Sequence, residues 1–121
     1  MISRTAKSQM QHDEMVKAVV NHLVQNGHKN IKADLPGHAQ PALIQGTKQN
    51  HIPDAAADGV VVEVETSDTI SGDHTTSQWQ LFSDHAAKNG KAFWVVVPSD
   101  SVQATRNRLD ELGLTAVVYG I

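Results

Sequence analysis

Between Ser8 and Asn26 the apolar residues Met15, Val16, Val19, Val20, Leu23 and Val24 recur at three- and four-residue spacing. That spacing predicts an amphipathic helix with one buried stripe, stopped by Gly27. Ile31 to Leu35 alternates apolar and polar before Pro36-Gly37, the pattern of a short half-buried strand. His38 to Asn50 is polar and broken by Pro41 and Gly46, so it reads as loop with a short extended piece at Ala42-Leu43-Ile44. Two further strands, Ile52–Ala56 and Gly59–Thr66, flank Asp58-Gly59, a hairpin turn signal. Pro53 cannot donate to a ladder, which makes the first of them an edge strand or one that begins pairing late.

Thr75 to Gln78 has capping-box spacing ahead of Trp79, Phe82 and Ala86, predicting a second helix that Gly90 ends. Ala92 to Val97 is apolar throughout, as expected of a central strand covered on both faces, with Trp94 and Trp79 both in the core. Ser99 or Asp100 caps a third helix carrying Val102, Thr105, Leu109 and Leu112 on one side, and Gly113 stops it. Thr115–Tyr119 forms the last strand. The order αβββαβαβ, with an antiparallel front and crossovers behind, predicts a single α/β domain: a mixed sheet flanked by helices, after a flexible start over residues 1–8.

Composition narrows the classes. The chain has 121 residues, of which 40% are hydrophobic, enough for one core. Zero cysteines exclude a disulfide framework, a thiol enzyme and a zinc ribbon. The apolar runs are too short for a membrane span and no apolar segment follows the charged N-terminus, so the expectation is a cytoplasmic protein. At a net charge of −3 the chain as a whole is no footprint for nucleic acid; a polyanion must meet a local patch. The seven histidines include no His-x-x-x-His pair, which argues against a helical zinc site.

One strand carries candidate chemistry. Period-two alternation puts Glu63 and Glu65 on one face of the strand, about 6–7 Å apart, with Val62 and Val64 on the other. The Asp58-Gly59 turn sets Asp54 opposite Glu63, so three carboxylates converge on one spot. Such a group repels itself unless a cation is present, and an all-oxygen set with room for water suits Mg²⁺ or Mn²⁺. The same alternation is also met where two glutamates simply face solvent.

Pro53-Asp54, followed nine residues later by Glu63-Val64-Glu65, resembles the Pro-Asp…(Asp/Glu)-x-Lys signature of the restriction-endonuclease-like nuclease superfamily, and the order of elements is similar too. The resemblance implies a nuclease that cleaves phosphodiester bonds of nucleic acid, DNA in the first instance. It implies that Asp54, Glu63 and the main-chain carbonyl of Val64 hold the metal. Glu65 departs from the pattern, standing where the signature has lysine. Some members carry glutamate there, which implies a general base or a ligand to a second metal.

Other members move the polar group to the next helix, where Gln78 and Gln80 stand; Gln78 also closes the capping box. On the first helix, periodicity turns His12 and Asp13 inward and Glu14 outward, although Glu14 has the more familiar ligand chemistry. His51 and His74 flank the site on loops; Lys88 stands near the end of the second helix, too far from the site, and Lys32 and Lys48 have no assigned place. The rival expectation is a catalytically silent nuclease-fold module for binding or assembly. So small a chain would grip DNA as a homodimer or through a partner domain.

Overall fold

The computed structural model describes residues 4–121, and the first three positions of the expected flexible start lie outside them. Arg4 to Ser8 are part of the structure. Thr5 caps helix α1 (Ala6–Gln25), its hydroxyl accepting the N–H of Ser8 at 3.1 Å, so α1 starts two residues ahead of the Ser8 expected from apolar spacing. The cap, which no hydrophobic periodicity registers, sets that start. Gly27 ends the helix in the left-handed region at φ 74°, and the N–H of His28 reaches back to the Leu23 carbonyl.

The strands that follow are short: β1 (Lys32–Ala33), β2 (Ile44–Gln45), β3 (Asn50–His51), β4 (Ala55–Ala57) and β5 (Val60–Val64). After them come α2 (Asp73–Lys88), β6 (Ala92–Val97), a single 3-10 turn at Ser99–Ser101, α3 (Val102–Leu112) and β7 (Val117–Gly120). The main sheet has five strands in the order β1-β4-β5-β6-β7. β1, β4 and β5 pair antiparallel, whereas β5-β6 and β6-β7 are parallel and joined through α2 and α3. The chain is thus mixed α/β, as its pattern predicts.

Three details differ from the sequence expectation. β2 and β3 form a separate antiparallel ribbon in the stretch read as loop, anchored by Ile44 in the core beside α2. Pro53 lies ahead of β4, which starts late but is not an edge, because β1 covers its other side. Helix α2 begins at Asp73 with Gly72 as its N-cap and no side-chain cap. Thr75 is no cap: its hydroxyl donates instead to the Thr69 carbonyl at 2.6 Å, tying the preceding loop to the helix.

Helix α1 covers one face of the sheet, where Val16, Val19 and Leu23 meet Val60, Val62 and Val64. On the other face α2 and α3 bring Trp79, Phe82 and Leu109 against Val61, Val95 and Val97. β5 is therefore buried on both faces along its whole length. Trp79 is fully buried, whereas Trp94 is half-buried, packed against the α1 side of the core and set edge-on to His28, Tyr119 and the α1 residue His22. Among the described residues no helix is long and apolar enough to cross a membrane.

Candidate active site

The hairpin register is Ala55 opposite Val62, and continued one step to the open end it sets Asp54 opposite Glu63. Two main-chain donors fix that end. The N–H of Asp54 donates to Glu63 Oε1 at 3.0 Å, and the N–H of Val64 donates to Asp54 Oδ2 at 2.8 Å. Glu65 follows directly and keeps the parallel pairing, its own N–H reaching the Val96 carbonyl at 2.9 Å. The expected cluster of Asp54, Glu63 and Glu65 at one end of the hairpin is present.

These carboxylates line a cavity of about 60 Å³ between the starts of α1 and α2. Its walls are completed by Arg4 and His12 from the α1 side, Thr69 from the loop, and His74, Thr75 and Gln78 from α2. Glu63 and Glu65 are each only 2% exposed, so neither faces solvent as an ordinary alternating strand would allow. Thr69 donates its hydroxyl to Glu65 Oε1 at 2.7 Å, while Glu65 Oε2 is buried with no hydrogen-bond partner. The positive end of the α2 dipole lies at the same place.

The electrostatics follow from crowding. Burial above all, then the charges of Asp54 and Glu65, hold the Glu63 carboxyl well above the usual carboxylate range. Burial and the Asp54 charge push Glu65 up to about 7, against the pull of Thr69, Arg4 and His12. His12 is buried, which disfavours its cation, yet its contact with Asp54 Oδ1 at 3.1 Å outweighs this and raises its pKa. The other ring nitrogen lies 3.2 Å from Asp13 Oδ1. Of the first-helix candidates, periodicity places His12 and Glu14 correctly, His12 in the site and Glu14 paired with Lys17 on the outer surface, whereas the Asp13 side chain, expected inward, is 44% exposed and reaches the site only through the far ring nitrogen of His12.

The remaining candidates separate cleanly. Gln78 lines the cavity from within α2, while Gln80 turns to a neighbouring groove shared with Lys48 and Lys88. His74 is in the first turn of α2 and His51 on β3, not on loops, with ring centres 5.3 Å apart. Burial and the His74 charge lower the pKa of His51. Lys88 pairs with Asp84 on the surface and Lys32 is exposed on β1, so neither supplies charge to the site.

Sequence reasoning missed Arg4. Its Nη2 lies 3.2 Å from Glu65 Oε1, 3.4 Å from the Val64 carbonyl and 3.5 Å from Thr69 Oγ1. Nothing around Arg4 in the sequence marks this role; only its place just before the Thr5 cap fixes where its side chain emerges.

The donor set fits a hard divalent cation in part. Hard cations take oxygen ligands, and Mg²⁺ is commonly held by one or two carboxylates with several waters. Glu63 lines the cavity, and the Val64 carbonyl lies 3.4 Å from the same Arg4 nitrogen that contacts Glu65, so both meet that description. Asp54 has both oxygens engaged, by His12 and by the Val64 N–H, and would have to share one. Among the described residues no three His, Asp or Glu side chains form a ready-made ligand set. Compared with known proteins, the chain matches no family model, no curated protein and no solved structure.

Proposed function

We propose that the protein is a metal-dependent phosphodiesterase with a restriction-endonuclease-like core, acting on nucleic acid, with DNA as the first substrate class. The observation that carries this reading is the convergence of Asp54, Glu63 and Glu65 on one cavity, with two of the three buried. Asp54, Glu63 and the Val64 carbonyl are the residues that would hold Mg²⁺ or Mn²⁺. An ion there supplies Lewis-acid charge to the scissile phosphate and acidifies water.

The chain's own residues account for the rest of the chemistry. Thr69 fixes Oε1 of Glu65, which leaves Oε2 as the free acceptor for the proton of an attacking water. His12 holds Asp54 from behind and so orients its carboxylate. Gln78 presents an uncharged amide to the cavity, suited to a hydrogen bond with a phosphate oxygen or with the water. A cytoplasmic homodimer, or a partner domain, would provide the surface that the acidic chain lacks for gripping a duplex.

A second reading, a catalytically silent binding or assembly module, draws on the net charge of −3 and on Arg4 resting against the Val64 carbonyl. Plasmid and oligonucleotide cleavage with Mn²⁺, beside calorimetric titration of Mn²⁺ into wild type and Asp54→Ala, separates the two. Cleavage together with Asp54-dependent binding is the expected result. Binding without cleavage leaves the module, and a flat titration removes the metal from both.

A further inference from the structure

Arg4 is the one lysine or arginine that lines the acidic cavity among the described residues, and its contacts have an unusual form. A guanidinium that is a permanent partner of a carboxylate typically engages it through two nitrogens at about 2.7–2.9 Å. Here a single nitrogen, Nη2, reaches three oxygens at 3.2–3.5 Å, and the buried Nε has no partner at all. Glu65 is equally half-used, with Oε2 buried and unpaired. The fit is loose on both sides. The position is nevertheless specific, because two of its three oxygens, those of Glu65 and Val64, belong to the tripeptide that the preceding reading gives to the ion and its water.

We infer that Arg4 is a displaceable counter-cation: its guanidinium occupies the acidic pocket while no divalent ion is bound, competes with that ion for the Val64 carbonyl and with its water for Glu65, and on leaving turns to the phosphate of the substrate. The inference rests on the metal-dependent reading and adds its regulation. A cation at this spot relieves the repulsion among Asp54, Glu63 and Glu65 that would otherwise burden the ion-free fold. An arriving divalent ion repels the guanidinium and offers the Val64 carbonyl a higher charge at shorter distance. Leaving requires only rotation of one side chain, since Thr5, and not Arg4, caps α1. The Arg4 side chain is 20% exposed, so water and an incoming phosphodiester reach it at the cavity mouth.

The test is calorimetric titration of Mn²⁺ into wild type, Arg4→Gln and Arg4→Lys of the full chain, followed by binding of a short oligonucleotide in Ca²⁺. Arg4→Gln should bind Mn²⁺ at least tenfold more tightly than wild type, should melt at a lower temperature without ions, and should bind the oligonucleotide several-fold more weakly. Arg4→Lys, which keeps the charge, should bind Mn²⁺ much as wild type does. Equal Mn²⁺ affinity in wild type and Arg4→Gln would overturn the displacement and leave the metal reading intact. Weaker Mn²⁺ binding in Arg4→Gln would overturn it as well, making Arg4 a support of the ion instead of its rival. Failure of all three proteins to bind Mn²⁺ would reject the metal reading and this inference together.

Discussion

Asp54 and Glu63 hold one another across the open end of the β4-β5 hairpin: the main chain of Asp54 donates to the Glu63 carboxylate, and the Asp54 carboxylate takes the N–H that follows Glu63. Each acid is thereby fixed by the strand that carries the other. Two carboxylates that would part in a flexible loop are kept side by side, and the cost of doing so appears in how the protein responds to protons and cations.

Stability should fall as pH rises through neutrality. Glu63 and Glu65 keep their protons in the folded chain at pH values where the unfolded chain has lost them. Their contribution is complete below the ordinary carboxylate range near 4.5 and is lost as pH passes the raised values, about 7 for Glu65. The raised pKa of His12 acts in the same direction; the lowered pKa of Asp68, held by Thr66 and Ser8, works the other way at the acid end, and the lowered pKa values of His51 and His85 oppose the fall near neutrality, where the two buried glutamates outweigh them. Urea unfolding at pH 5 and pH 8 should give the lower midpoint at pH 8, with the difference shrinking in Glu65→Gln. Equal midpoints in the wild type would contradict the buried-acid account.

Divalent ions should reverse that loss. Millimolar Mg²⁺ or Mn²⁺ at pH 8 should raise the melting temperature, because an ion bound only by the fold stabilises it by mass action. Glu63→Gln should abolish the rise while melting higher than wild type in the absence of ions, since its amide oxygen can still accept the Asp54 N–H. An equal rise in both proteins would mean that the ions act without a site.

Glu65 gives the kinetic test. Glu65→Ala should cost roughly 10²-fold in Mn²⁺-dependent cleavage, the usual loss for a removed general base. Glu65→Lys would rebuild the signature tripeptide, but it would also place a second cation where Arg4 already sits 3.2 Å from the native carboxylate. It should therefore fold poorly alone and recover when combined with Arg4→Gln. Melting curves of the single and double variants check this, and additive destabilisation would show that the two positions do not interact.

The two tryptophans should report separately. Trp79 is fully buried, whereas Trp94 is partly wet and lies beside His22 and His28 at ring distances of 6.2 and 5.7 Å. Trp94→Phe should leave a blue-shifted spectrum and Trp79→Phe a redder one. Identical emission maxima would show that the two side chains share one environment.

Much of this arrangement was legible in the chain. Alternation in Val60–Thr66 and the Asp58-Gly59 turn were sufficient to place Asp54 opposite Glu63, because a two-residue turn fixes register. Periodicity turned His12 inward where residue chemistry favoured Glu14. The capping box failed at Thr75, since its hydroxyl serves a loop carbonyl, a long-range bond that local spacing does not encode. Trp94 joins the core as expected but stays half-buried, because strand patterning predicts that a face is covered without saying how completely. Arg4 was invisible for a related reason: its partners stand 60 to 65 positions away, and only the docking of α1 brings them together.

The change of strand direction at β5 also orders events in time. The β4-β5 hairpin closes over two residues, on a scale of about 1–10 μs for such elements, whereas β5 meets β6 only after the whole of α2 has been spanned, and Arg4 reaches Glu65 later still across a separation of 61. The refolding chain should therefore pair its acids before the arginine that offsets them arrives. Protons are the counter-charge at hand in that interval, and refolding should quicken as pH falls toward the carboxylate range: the site's chemistry sets the tempo at which the sheet can form.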